Sequence, residues 1–166
     1  MKVKNMVGLG KATLLALILT WMAPAWCYAA GNGEVPLARD LALDAKTAEA
    51  RRVPILVMFT RPNCPFCAHV LKDFLEPMQR NAEYRAKVIM RKVNISSQAK
   101  LRDFSGGANT HREFALESGV GMVPVVMLYD SWGEVLAEPL LGFSSPDYYG
   151  DFLDQRINLA LAKIRK

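Results

Sequence analysis

The sequence predicts an α/β domain in which helices cover both faces of a mixed central sheet, made of a parallel unit and an antiparallel hairpin. Three observations lead to this prediction. Short apolar runs alternate with helical segments, one of these runs is followed by a returning strand, and the chain ends in an amphipathic stripe. The 166 residues suffice for one domain with a sizeable core.

The first helix is predicted from Asp40 to Arg52. Asp40 is a suitable N-cap, and two arginines lie in the last turn, where cations interact favourably with the helix dipole. Pro54 ends this helix and begins a strand predicted over residues 54–60, because the run that follows is continuously apolar. We therefore expect this strand to be a core strand.

A second helix is predicted from Cys64 to about Leu75, since Pro77 lacks an amide hydrogen and must kink or end it. A second strand is predicted over residues 87–95, apolar at first and alternating towards its end. Two strands joined by a helix favour a right-handed parallel unit.

The stretch 96–109 is predicted to be an irregular insertion with one helical turn at 99–104, because serine and glycine pairs bound it. A short helix is predicted from Thr110 to Ser118. Glu113 stands three residues after Thr110, which is the spacing of a capping box.

A third strand is predicted over residues 122–129, followed by a turn and a returning strand over 134–137, which together form the antiparallel hairpin. The last helix is predicted from Asp147 to Lys166. Its apolar side contains Phe152, Leu153, Ile157, Ala160, Leu161 and Ile164.

The N-terminus has the pattern of a secretory signal peptide. Three lysines precede an apolar run at residues 12–23 that is too short for a comfortable transmembrane helix. We expect a signal over residues 1–29, with cleavage after Ala29 or Ala30, and a single domain over residues 30–166. An uncleaved membrane anchor is the alternative.

Loss of the signal changes the charge and the cysteine count. Three lysines leave with it and no acidic residue does, so the net charge falls from +5 to +2, which gives no reason to expect nucleic-acid binding. Cys27 leaves as well, so the mature chain keeps Cys64 and Cys67. A periplasmic or secreted location would allow a disulfide between them to persist.

The two cysteines lie in the stretch Asn63-Cys64-Pro65-Phe66-Cys67, between the first strand and the second helix. A helix start presents free amide hydrogens and a positive dipole end, and both favour a thiolate. Half of a structural zinc site is disfavoured because the chain has no second cysteine pair. A structural disulfide is also disfavoured, because closing so short a loop constrains the unfolded chain little.

Three features together resemble the thioredoxin superfamily, over roughly Asp40 to Lys166. They are the apolar strand that leads into the cysteine pair, the Val123-Pro124 step before a strand, and the hairpin at 129–135 before a terminal helix. Within the superfamily the chain is most similar to exported, SoxW-like bacterial proteins. The resemblance implies a thioredoxin-like fold.

The resemblance also implies roles for single residues. Cys64 would be the exposed nucleophile and Cys67 the buried resolving thiol. Pro124 would be cis, and the Val123 backbone would pair with an extended substrate. The expected substrate-binding residues are Val123, Pro124, Pro65 and Phe66.

Two positions depart from the thioredoxin pattern. Thioredoxin has a buried acid on the first strand where this chain has Met58, and a tryptophan before the first cysteine where this chain has Asn63. A proton acceptor for Cys67 is therefore missing from its expected place. Arg61 and Lys72 are basic residues near the pair that could stabilise a Cys64 thiolate.

The expected activity is thiol–disulfide exchange on protein disulfides, as a monomeric reductase or carrier that a membrane electron donor supplies. We expect no cofactor and no bound metal. One alternative is a dithiol oxidant, since Pro65-Phe66 resembles the glutaredoxin Pro-Tyr and Val123 resembles the residue before the cis-proline of DsbA. A module with a vestigial motif is another.

A further alternative is a copper chaperone that uses the two cysteines with a histidine or a methionine, because thiolates suit Cu(I). The candidate additional ligands are His69, His111, Met58 and Met122. We expect His69 to be a surface or packing residue and His111 to be a solvated loop or first-turn residue.

Overall fold

A mixed four-stranded sheet forms the centre of the fold. The structure is a computed structural model that describes residues 33–143 and 146–166. The predicted signal peptide lies outside these residues. In chain order the elements are α1 (Leu41–Arg51), β1 (Ile55–Thr60), α2 (Pro65–His69), a π-helical segment (Val70–Leu75), α3 (Glu76–Arg80), α4 (Ala82–Lys87), β2 (Ile89–Asn94), β3 (Lys100–Arg102), β4 (Ala108–Thr110), α5 (His111–Glu117), β5 (Val125–Tyr129), β6 (Leu140–Leu141) and α6 (Pro146–Ile164).

The sheet has the strand order β2-β1-β5-β6. β1 is parallel to β2 and antiparallel to β5, and β5 is antiparallel to β6. The predicted parallel unit and mixed sheet are confirmed. Because β1 is central, its C-terminal end delivers the segment with the cysteines to the middle of one edge of the sheet.

Helices cover both faces of the sheet, as predicted. Alternate residues of β1 point to opposite sides. Val57 and Phe59 pack in one buried cluster with α1 and α5. Leu56 and Met58 pack in the other cluster, which contains Cys67 and the inner face of α6. Every residue from Ile55 to Phe59 is fully buried, which explains the continuously apolar run.

Two helix starts match the predicted caps. The Asp40 side chain accepts a hydrogen bond from the Leu43 amide at the start of α1. The Thr110 side chain and Glu113 form the reciprocal capping box of α5. Both caps satisfy amide hydrogens that a helix leaves free at its first turn.

The helix that begins at Pro65 continues beyond its predicted end. The prediction of an end near Leu75 is wrong, because a π turn leads directly into α3. The Glu76 amide bonds to the carbonyl of Leu71, five residues back. This wider turn comes immediately before Pro77 and accommodates a residue that could not donate to the carbonyl four residues earlier.

The insertion after β2 contains a small hairpin, and the helical turn predicted at 99–104 is wrong. β3 and β4 pair antiparallel, with Leu101 buried between two exposed neighbours. The Asp103 side chain accepts hydrogen bonds from Ser105 and the Gly107 amide, and Gly106 has a φ of 88°. Side-chain turn bonds and a glycine with positive φ stabilise a hairpin here.

The returning strand also differs from its predicted position. Residues 134–137 make one bridge to β5, between Tyr129 and Val135, and the ladder resumes at β6. Side chains of α6 bind the carbonyls in between: Lys163 donates to Leu136, and Arg156 donates to Glu138. These carbonyls are therefore satisfied by side chains of α6.

His111 is buried, which corrects its expected solvent exposure, although it does lie in a first helical turn. Only 2% of it is exposed, and its Nδ1 accepts a hydrogen bond of 3.1 Å from the Asn94 amide. Burial lowers the pKa of His111, an effect partly opposed by a backbone hydrogen bond with Ala38. The imidazole is therefore neutral, with its proton on Nε2.

A pH-dependent stability follows from this burial. In the unfolded chain His111 has a pKa of 6.5, and the folded state takes up the proton only at lower pH. Its contribution is thus fully present above about pH 6.5 and is lost as the pH falls through the folded pKa. His111→Asn keeps an acceptor for the Asn94 amide but does not titrate. We expect this variant to flatten the slope of unfolding free energy against pH in that range, measured by urea denaturation. An unchanged slope would contradict the assignment.

Candidate active site

The first cysteine caps the helix that follows β1. After Thr60 the chain turns through Asn63, whose φ is 58°, and Cys64 then has extended geometry as the N-cap of α2. Pro65 occupies the first turn of α2, where a missing amide hydrogen costs nothing. The local sequence thus places Cys64 at the end of the central strand.

The left-handed backbone of Asn63 can be tested directly. Asparagine tolerates this conformation better than most residues, whereas β-branched side chains clash with their own backbone there. We expect Asn63→Val to lower the unfolding free energy by about 1–2 kcal/mol and Asn63→Gly to be nearly neutral. Equal stability of the two variants in thermal or urea denaturation would contradict a left-handed residue 63.

The two cysteines form a disulfide, with Cα atoms 5.2 Å apart. Cys64 is half-buried, whereas Cys67 is 2% exposed. The Cys67 amide donates a hydrogen bond of 3.2 Å to the Cys64 sulfur. In a reduced pair such a donor stabilises a thiolate on Cys64. The arrangement therefore offers one accessible sulfur and one sheltered sulfur.

The Val123-Pro124 step lies near the pair. Its peptide bond is cis. Val123 is half-buried and packs against the cluster that contains Cys67, and Cys64 packs against the same cluster. Pro124 is buried, and its carbonyl accepts a hydrogen bond of 2.8 Å from Gly142.

Aromatic rings flank one side of the pair. Phe66 is 58% exposed, and its ring centroid lies 6.4 Å from that of Phe143. Phe143 also contacts His69, Phe74 and Tyr149. It follows Gly142, so it links the Val123-Pro124 loop to the cysteine helix. Sequence reasoning missed Phe143, because nothing local signals that a residue after a two-residue strand reaches α2.

The histidines lie apart from the cysteines in their contacts. His69 bonds to Asp73 with Nδ1 and Oδ2 2.9 Å apart and stacks on Phe143. His111 belongs to the opposite core, bonded to Asn94. Within residues 33–143 and 146–166, no three side chains of His, Cys, Asp or Glu are grouped to hold a metal ion. Of the methionines named as ligands, Met58 is fully buried and Met122 is exposed.

The position of the missing acid is apolar. Met58 is fully buried in the cluster that contains Cys67. Among the described residues the buried polar side chains are Asp44, which is paired with Arg91, and His111. Burial raises the pKa of Tyr149, in the same cluster, to about 12, so it is not a base near neutral pH. The cluster thus offers no carboxylate as a proton acceptor for Cys67.

A cleft opens on the other side of the pair. Its volume is about 340 Å³, and both cysteines line it. Its other walls are Thr60, Arg61, Asn63, Pro65, Ala68 and Leu71. None of these residues is acidic, and Val123, Pro124 and Phe66 do not line it. Lys72, one turn beyond Ala68, is exposed but is not part of the wall.

The search for a membrane span gave a negative result: the described helices include none with the length and apolarity that crossing a bilayer requires.

Comparisons with known proteins agree with the geometry. No curated protein matches the chain in sequence. Among solved structures, a mutant thioredoxin from Halobacterium salinarum NRC-1 matches with a TM-score of 0.48 and 16% identity, over 75% of this chain and 92% of that one. The family described as "Thioredoxin-like domain" matches residues 41–157. That fold, with a Cys-x-x-Cys disulfide, supports a thiol–disulfide oxidoreductase in general. The chain therefore belongs to the thioredoxin-like domain family.

Proposed function

We propose that the protein is an exported thiol–disulfide oxidoreductase that serves as a reductase or electron carrier for protein disulfides. The observation that carries the proposal is the disulfide between a half-buried Cys64 and a buried Cys67, where the Cys67 amide already donates to the Cys64 sulfur. A purely structural disulfide would need neither this asymmetry nor a hydrogen-bond donor to one sulfur.

In the reducing direction the Cys64 thiolate attacks one sulfur of a substrate disulfide. The substrate bond breaks, a mixed disulfide forms on Cys64, and the other substrate sulfur leaves as a thiolate. Cys67 then attacks the Cys64 sulfur, which releases the second substrate thiol and restores the Cys64–Cys67 disulfide. Two electrons pass to the substrate, and an external donor must return them.

Polypeptide substrates would dock where Phe66 and Val123 meet the cysteines. Phe66 is mostly exposed and contacts Phe143, so it offers an apolar surface next to Cys64. Pro65 and Pro124 lie in the adjoining chain segments. In this proposal the Val123 backbone pairs with an extended substrate, as the resemblance to SoxW-like proteins implies.

A turnover assay tests this function and its direction. With a chemical reductant supplied, the protein should accelerate reduction of insulin disulfides, measured by precipitation of the released chains. The same protein, oxidised, should be much slower at introducing disulfides into a reduced unfolded polypeptide. Faster oxidation than reduction would favour the alternative of a dithiol oxidant. No turnover in either assay would refute the proposal and favour a vestigial motif.

Export is a separate part of the proposal. Residues 1–29 would be removed as a signal and residues 30–166 retained as the domain, which would work in the periplasm or outside the cell with a membrane electron donor. Expression of the full chain in a bacterium tests it. Mass spectrometry of the periplasmic fraction should give a mature N-terminus at residue 30 or 31. An intact N-terminus in the membrane fraction would instead indicate an anchor.

A further inference from the structure

The two sides of the cysteine pair differ in chemistry. One side has aromatic rings and Val123, which suit the backbone and apolar side chains of a polypeptide. The other side is the cleft of about 340 Å³ with Thr60, Arg61 and Asn63 at its wall. This volume lies near the lower end of the range for small-molecule sites, which is roughly 300–1,000 Å³. The cleft therefore suits a compact ligand.

Arg61 gives the cleft its charge. It is exposed, and among the described residues it has no ion-pair partner within the structure. A guanidinium presents its donors in a planar fork that matches a carboxylate. Thr60 and Asn63 add a hydroxyl and an amide next to it, and Ala68 and Leu71 form an apolar wall opposite.

We propose that this cleft binds a low-molecular-weight disulfide or thiol that carries a carboxylate, as a second substrate class for the same cysteine pair. The proposal rests on the proposed exchange activity. The Cys64 sulfur is at the cleft, so a small disulfide whose carboxylate binds Arg61 can present a sulfur to it. Polypeptides would use the aromatic side.

The reaction balances without any further reagent. The Cys64 thiolate attacks one sulfur of the small disulfide, a mixed disulfide forms on Cys64, and one small thiolate leaves and takes up a proton. Cys67, deprotonated, then attacks Cys64 and releases the second small thiol. The reduced pair becomes a disulfide, and one small disulfide becomes two thiols. The reverse reaction would reduce the protein at the expense of the small thiol.

The test compares three small symmetrical disulfides of similar size: anionic 3,3′-dithiodipropionate, neutral 2-hydroxyethyl disulfide and cationic cystamine. The full chain carries Cys27→Ser and Cys67→Ser, so that Cys64 is the only thiol. Mass spectrometry measures the second-order rate of mixed-disulfide formation. Each rate is divided by that of the same chain unfolded in urea, which removes differences in intrinsic reactivity.

We expect the normalised rate to be about tenfold higher for the anionic than for the cationic disulfide, with the neutral one between them. Arg61→Gln should bring this ratio to within about twofold of unity, whereas the matched control Lys72→Gln should retain most of it. The ratio is the readout because loss of Arg61 can also change the thiolate fraction, which alters all three rates together.

The outcomes separate this inference from the proposed function. If Cys64 in the folded protein reacts with none of the three disulfides, the exchange activity itself is refuted. If it reacts with all three at equal normalised rates, or if Arg61→Gln leaves the ratio unchanged, the carboxylate site is refuted and the exchange activity stands.

Discussion

Replacing Cys64 by serine is expected to abolish insulin reduction, with a loss of about 10³-fold or more, because no other residue supplies the attacking sulfur. Cys67→Ser should have a different effect. Cys64 still attacks, but the mixed disulfide cannot be resolved within the protein, so the substrate stays covalently bound. Non-reducing electrophoresis and mass spectrometry distinguish the two variants.

Cys27→Ser is the matched control for these cysteine variants. Cys27 belongs to the predicted signal, so its loss should leave turnover unchanged. The roles of the pair would be reversed if Cys64→Ser trapped substrate through Cys67. The account of a buried resolving thiol would then be wrong, since Cys67 is 2% exposed.

The second large effect concerns the strand beneath the cysteines. Met58→Asp places a carboxylate in an apolar cluster, where we expect a loss of about 3–5 kcal/mol of unfolding free energy near neutral pH. Burial raises the pKa of this carboxyl above the unfolded value of roughly 3.9. The penalty should therefore be smallest below about pH 3.9 and grow as the pH rises through the folded pKa.

The control for this prediction is Met58→Leu, which conserves volume and should cost less than about 1.5 kcal/mol at every pH. Urea denaturation of both variants across the pH range makes the comparison. A stability of Met58→Asp that does not change with pH would show that water or a cation reaches this position. The cluster would then not be the dry environment that its burial indicates.

Elements with a local physical cause were predictable from sequence. The buried strand β1 reads as a continuous apolar run because both of its faces are covered. The start of α5 was predictable because Thr110 and Glu113 carry the whole capping box within four residues. The site followed in the same way, since the cysteine spacing and the strand before it place both sulfurs at one helix start.

Elements that depend on distant partners were not predictable. The position of β6 depends on Lys163 and Arg156, which bind the carbonyls of the intervening segment from α6. The helix passes Pro77 because a π turn forms before it, and no single residue signals this turn. Long-range side-chain contacts decide both cases.

The burial of His111 is an intermediate case. His111, Phe114 and Ala115 are all buried and occupy positions i, i+3 and i+4 of α5, so they share one helix face. Reading histidine as a possible member of that face would have placed it in the core. The hydrogen bond from Asn94 that satisfies its Nδ1 required the structure.

The reduction potential of the Cys64–Cys67 pair tests the central claim most directly. The full chain is equilibrated with defined ratios of reduced and oxidised glutathione or dithiothreitol, and the free thiols are alkylated and counted by mass spectrometry. A protein that exchanges disulfides should give one reversible two-electron midpoint between about −270 and −120 mV, the range of known exchange proteins. A midpoint below about −300 mV, as in structural disulfides, would contradict the proposed function.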